Sequence, residues 1–261
     1  MSQHATELRF GLIGAGNMAR AMARGWGDPV YASDGGSGRA AALVEELGGR
    51  AFSDNLELAR EVDVAVLCHK PYQLEAVAAE LAGEVKAVVS VLGGTPHSRL
   101  QAAYPGIPVY AFMPNTPVEV GQGVVVYGVP EPGPQVVADP ELEQAVTGHF
   151  ARLGRVARVP ARLLDAATTV SGVGPAYQAL LAEAQIDAAI RLGLGAELAA
   201  ELVLATISGT AALIESRNYD TLAVRREVTS PGGSTARGLM ALEGAGVRSA
   251  FQAAADAVVG R

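Results

Sequence analysis

From Leu8 to Val159 the chain alternates short apolar runs with segments of helical spacing, and the change falls at glycines, prolines and capping residues. The first run, Leu8 to Ile13, stops at Gly14-Ala15-Gly16, after which Met18, Met22 and Trp26 recur at helical spacing. Val30 to Ser33 predicts a second strand ending at Asp34, and Arg39 to Leu47 a helix with its C-cap at Gly48, ahead of a short segment around Ala51-Phe52. Val62 to Cys68 reads as a buried strand feeding His69-Lys70-Pro71-Tyr72, with Pro71 in the first turn of a helix to about Leu81. Ala87 to Leu92 repeats the pattern before Gly93-Gly94-Thr95-Pro96, where Thr95 is a candidate N-cap and Pro96 the first helical position. Val109 to Met113 ends at Pro114-Asn115-Thr116-Pro117, and Val124 to Tyr127 and Arg155 to Val159 extend the sheet around a helix capped at Asp139-Pro140. This alternation predicts an α/β fold with a doubly wound parallel sheet. Loops beyond the strand C-termini then bring Gly14, Asp34, His69, Lys70, Gly93 and Asn115 to one edge.

Beyond Pro160 strand patterns cease. Five or six helices fit between breaks at Gly172-Val173-Gly174-Pro175, Gly193-Leu194-Gly195, Arg217-Asn218, Pro231-Gly232-Gly233 and Gly244-Ala245-Gly246. The expected domains are therefore residues 1–160 and an all-helical 161–261. The helix from Glu197 to Ser216 has almost no polar face, so it is expected to be buried all round. About 100 residues hardly enclose such a helix alone, and a partner copy is expected to cover part of it, making the protein at least a homodimer. Leu198 to Ile214 is shorter than the roughly 20 residues of a membrane span and carries Glu201, Thr206, Ser208 and Thr210. No membrane association is expected.

Composition narrows the partners. The 261 residues are 49% hydrophobic and 18% charged, with a net charge of −7 and no basic cluster to suit nucleic acid. A small-molecule substrate is expected. Cys68, the only cysteine, lies in an apolar run and is expected to be inert, consistent with a reducing cytoplasm. Met1 to Glu7 lacks the basic start and apolar stretch of a signal peptide. His4, His97 and His149 have no partners at metal spacing, and no metal site is expected.

Gly14-x-Gly16-x-x-Ala19 between a strand and a helix is the dinucleotide fingerprint: Gly14 permits the turn, Gly16 admits a pyrophosphate, Ala19 packs the helix on the strand, and Asp34 follows at the expected distance of about 20 residues. NADH or NADPH is the expected cofactor. Asp34 suits the ribose 2′-hydroxyl of NADH, whereas Ser33, Ser37 and Arg39 suit a 2′-phosphate if Asp34 turns away. A second constellation, Val228-Thr229-Ser230-Pro231-Gly232-Gly233-Ser234-Thr235, places glycines and hydroxyls before a helix, a nest of donors for a carboxylate. Its alternative is an interhelical turn with Ser234 or Thr235 as N-cap.

These segments, with Asn17-Met18, Lys70-Pro71, Met113-Pro114-Asn115-Thr116-Pro117 and Ser171-Gly172-Val173-Gly174-Pro175-Ala176-Tyr177, resemble the pyrroline-5-carboxylate reductase family in order and spacing over nearly the whole chain. The resemblance implies a Rossmann-type N-terminal domain, a helical C-terminal domain that dimerises by interlocking, and reduction of 1-pyrroline-5-carboxylate to L-proline in the last step of proline synthesis. In it Gly14, Gly16, Asn17, Met18, Ser33, Asp34, Lys70, Pro71 and Asn115 bind cofactor. Ser230, Pro231, Gly232, Gly233 and Ser234 bind substrate, and Thr235 donates to the imine nitrogen. Val173 stands where the family usually has serine, Ser234 where threonine or alanine is common, and His69 where a small apolar residue precedes Lys-Pro. The rival readings are another two-domain reductase of small imino or hydroxy acids and a cofactor-sensing regulator without turnover.

Overall fold

The structure, a computed structural model, describes residues 8–81, 83–133 and 137–259; His4 and the N-terminal stretch read above for a signal peptide lie outside them. The strands β1 (Phe10–Ile13), β2 (Val30–Ser33), β3 (Gly49–Ala51), β4 (Val64–Leu67), β5 (Ala87–Ser90), β6 (Val109–Pro114), β7 (Gly123–Val129) and β8 (Gly154–Pro160) form one sheet in the order β3-β2-β1-β4-β5-β6-β7-β8. Every pairing is parallel except β6 with β7. Six helices alternate with them: α1 (Asn17–Trp26), α2 (Arg39–Leu47), α3 (Asn55–Glu61), α4 (Leu74–Leu81), α5 (His97–Ala103) and α6 (Pro140–Ala151).

Both faces of the sheet are covered, as successive strand residues show. Val64 and Val66 pack with Met22, Trp26, Leu43 and Phe150 of α1, α2 and α6, while Ala65 and Leu67 pack with Leu58, Leu74, Val77 and Leu100 of α3, α4 and α5. A parallel strand buried on both sides must read as a continuous apolar run, which is why the sequence pattern located β4 and β5 so closely.

Two local details differ from the sequence reading. Helix α3 was not anticipated, although Asp54 caps it by accepting from Glu57 N at 2.8 Å. Thr95 does not cap α5: the N-cap is Pro96, and the buried Thr95 hydroxyl has no partner.

After β8 come α7 (Leu164–Arg191), α8 (Ala196–Ser216), α9 (Thr221–Glu227), α10 (Ser234–Gly244) and α11 (Val247–Val259). The chain divides into two compact units, one up to Pro175 and one from Ala176. The break expected at Gly172–Pro175 is absent, because α7 runs through it with Pro175 inside. Proline reads as punctuation only where nothing else supplies the backbone bond it removes, and glycine only where packing does not offset its conformational freedom. Helix α8, at 21 residues, is longer than the run judged too short for a membrane and has the length and apolarity to cross one. The expectation of complete burial is not met within one chain: Ala199 is its only buried residue, and Leu198, Leu202 and Leu204 are about half exposed at 47%, 49% and 55%.

Candidate active site

The turn after β1 is set by its neighbours. Gly14 has φ 101°, donates its N–H to Ser33 O at 2.8 Å, and a Cβ there would lie 2.9 Å from the Cys68 carbonyl carbon. Only glycine passes between the ends of β2 and β4 at this point. Gly16 is the N-cap of α1, no side chain caps the helix, its first turn holds no acidic residue, and the space where a Cβ would stand is open. Asn17 and Met18 therefore open a helix whose free N–H groups and positive dipole end suit an anion. Ala19 is fully buried against the sheet, as the fingerprint requires.

At the end of β2, Ser33 is buried and its hydroxyl donates to Asn55 Oδ1 at 2.6 Å, while Asn55 Nδ2 donates to Glu80 Oε2 at 2.5 Å. Asn55 escaped the sequence reading along with its helix; the capping sequence Asp54-x-x-Glu57 was the available signal. Asp34 is turned into its own loop. Its carboxylate accepts from Gly36 N at 3.0 Å, Ser37 N at 3.1 Å, Ser37 Oγ at 2.9 Å and Ala40 N at 2.8 Å. Partial burial raises its pKa, but these bonds outweigh that and hold it below the ordinary carboxylate value. The oxygens expected at the ribose are thus occupied by the loop and by the start of α2.

Beyond β4, burial pushes the Cys68 thiol well above its usual range, which matches an inert cysteine. His69 Nδ1 lies 2.9 Å from Lys70 O, an atom that only accepts, so Nδ1 carries the proton and the buried, unpartnered Nε2 presents a lone pair. Burial also lowers the His69 pKa. Lys70 is exposed, and its N–H donates to Gln73 Oε1 at 3.0 Å, closing the turn in which Pro71 begins a short 3-10 segment. Gly93 is in open space. Asn115, at the exit of β6, is buried and bonded at both ends of its amide, to Val124 N at 2.8 Å and to Ser171 O at 3.0 Å.

In the helical unit, Gly233 N donates to Ser230 O at 3.1 Å with Gly232 at φ 68°, a turn with Pro231 and Gly232 in its central positions. The N-cap of α10 is Gly233 and no side chain caps it, so neither Ser234 nor Thr235 is an N-cap. Arg237 Nη1 closes the turn on Gly232 O at 2.8 Å. Ser234 and Thr235 are exposed in the first helical turn, which has no acidic residue. No cluster of three or more potential metal ligands occurs among the described residues.

A doubly wound sheet with a glycine turn at the β1–α1 crossover, followed by an all-helical unit, is the architecture of two-domain dinucleotide-dependent oxidoreductases. The profile described as NADP oxidoreductase coenzyme F420-dependent matches residues 9–94, and the one described as pyrroline-5-carboxylate reductase dimerisation matches residues 161–261. Curated relatives named pyrroline-5-carboxylate reductase include one from Synechocystis, 36% identical over 94% of this chain and 93% of its own. One from Arabidopsis thaliana is 30% identical over 98% and 95%. The chain belongs to the pyrroline-5-carboxylate reductase family. Among solved structures, the Plasmodium falciparum pyrroline carboxylate reductase with NADP bound superposes with a TM-score of 0.83 at 27% identity, covering 96% of this chain and 95% of that one. The Coxiella burnetii enzyme does so at 0.84 and 28%, covering 98% and 97%.

Proposed function

We infer that this chain reduces 1-pyrroline-5-carboxylate to L-proline at the expense of NADH or NADPH, the final step of proline biosynthesis. Family membership over nearly the full length, joined to the tight turn at Gly14 and the open, side-chain-free helix start at Gly16 that suits a close-approaching pyrophosphate, carries this reading. The open space at Gly16 fits a bound pyrophosphate, with Asn17 and Met18 supplying N–H groups. Ser33 and the Asp34 loop border the adenosine ribose, and Lys70, Pro71 and Asn115 border the nicotinamide end. When bound, the reduced nicotinamide supplies hydride.

The rest of the chemistry belongs to the protein. A protonated cyclic imine is the better electrophile, so the site must orient the ring, neutralise its carboxylate and hydrogen-bond its nitrogen more than it must supply a strong acid. The Ser230-Pro231-Gly232-Gly233-Ser234 segment presents hydroxyls and N–H groups at the start of α10 for the carboxylate. Thr235, one position further on and free of any capping duty, donates to the imine nitrogen. We also propose that the dinucleotide domain ends at residue 160, that a homodimer, alone or in a larger assembly of dimers, is the working unit, and that the compartment is cytoplasmic.

Steady-state oxidation of NADH and NADPH with added pyrroline-5-carboxylate tests the proposal. Saturable, imine-dependent oxidation is expected with both cofactors. A preference for another imino or hydroxy acid points to a different two-domain reductase, and no turnover at all points to a cofactor-sensing regulator.

A further inference from the structure

Inside α7 the proline at position 175 removes the N–H that would reach the carbonyl of Ser171 in an unbroken helix, and its ring crowds that same carbonyl. A helix usually kinks or stops at such a point. Here Asn115 Nδ2 donates to Ser171 O at 3.0 Å, and Asn115 Oδ1 accepts from Val124 N at 2.8 Å. Asn115 is only 8% exposed, and both bonds are part-buried, so removing its amide would leave two partly buried backbone groups without their partner. The preceding turns are braced as well: Thr168 and Ser171 donate their hydroxyls to Leu164 O and Ala167 O at 2.7 and 3.1 Å. The stretch held this way carries Gly172 and Gly174. A Cβ at Gly172 would meet only Thr168 Cγ2, at 3.5 Å, and one at Gly174 would meet nothing within 4 Å.

We infer that Asn115 is a positioning residue of the reductase: its amide replaces the N–H missing at Pro175 and fixes the bare Gly172–Gly174 turn of α7 at the exit of β6. The catalytic consequence rests on the reading of that edge as the nicotinamide end; the coupling between Asn115 and Pro175 does not. Both ends of the Asn115 amide are spent on Val124 N and Ser171 O, so the residue borders the nicotinamide end without bonding to the cofactor; with the pyrophosphate turn at Gly14 and Gly16 untouched, its loss lowers kcat and leaves cofactor affinity in place.

A double-mutant cycle on the full-length protein in its native assembly tests this, with Asn115→Ala, Pro175→Ala and both together read by melting temperature, kcat, KM and cofactor Kd. Asn115→Ala is expected to lower the melting temperature by about 3–8 °C and kcat by about tenfold, with cofactor Kd within about twofold. Pro175→Ala alone keeps kcat within about twofold. Combined with Asn115→Ala it recovers at least about half of both losses, because the backbone N–H restored in place of the proline then serves Ser171 O. Additive losses in melting temperature overturn the coupling. Coupled melting with an unchanged kcat in Asn115→Ala overturns the positioning role and leaves the reductase reading intact, whereas an inactive wild type with coupled melting overturns that reading and with it the catalytic consequence. If Asn115→Ala alone does not fold, a soluble double variant supports the coupling, and its failure to fold overturns it.

Discussion

In the sheet unit all four residues of β4 are fully buried, whereas along the 21 residues of α8 only Ala199 is. The helices of the sheet unit each offer one apolar side to a sheet that covers them, so that unit's apolar pattern is satisfied within its own chain. Helix α8 has almost no polar face, yet only one of its residues is buried within its own chain. Its length and composition suit a membrane as well as a protein partner, but the family's dimerisation profile over residues 161–261 favours a second copy. The same apolar signal therefore means a core in one unit and an interface in the other.

The largest expected effect comes from breaking that interface. Leu198 and Leu202 lie one helical turn apart on α8, and Leu198→Glu with Leu202→Glu removes four leucines from a symmetric dimer. With about half of each side chain left for a partner to cover, and about 1.5–3 kcal/mol for a fully buried leucine, association weakens by at least about a hundredfold. Light scattering should then show monomers at micromolar concentration together with lost turnover; an intact, active dimer would break the comparison.

Within the sheet unit the effects are smaller. Asp34→Ser removes four loop bonds and a carboxylate from the loop proposed to border the adenosine ribose, so the NADPH-to-NADH ratio of kcat/KM should rise by up to about tenfold while the melting temperature falls by a few degrees. An unchanged ratio with lowered melting would assign Asp34 to the loop alone. The smallest effect concerns His149, which stacks on Phe10 with ring centroids 3.8 Å apart and has a buried, unpartnered Nε2. Burial, and then the nearby Arg152 guanidinium, lower its pKa from 6.5 to about 4. Between those values the unfolded chain binds a proton that the folded chain refuses, so stability falls as pH drops from 6.5 towards 4. His149→Phe keeps the stack and should flatten that part of the melting-temperature profile; an unaltered slope would place the titration elsewhere.

The doubly wound sheet was legible because each parallel strand is an apolar run ended by a turn, and Gly14, Gly16 and Ala19 are steric requirements that a sequence displays directly. What escaped depends on bonds between distant residues. In α7 the Ser171 carbonyl that Pro175 leaves without a helical N–H accepts instead from an amide 56 positions earlier, at the exit of β6. The direction of the Asp34 carboxylate is set by Gly36, Ser37 and Ala40 together, and composition does not rank that loop against a ribose. At α10 the glycines and hydroxyls were legible as a constellation, but only the backbone shows that Gly233 is the cap and that Thr235 is spared that duty.

The division of labour between a cofactor edge on the sheet and a substrate turn on α10 is tested most directly by Thr235→Val, which keeps the side-chain shape and removes the hydroxyl. Loss of one hydrogen bond of roughly 1–3 kcal/mol in the reacting complex predicts a kcat/KM for pyrroline-5-carboxylate about tenfold to a hundredfold lower. Cofactor affinity and melting temperature should stay near wild type. Wild-type kcat/KM together with a melting temperature lowered by several degrees would contradict the account and make Thr235 a structural residue of the helix start.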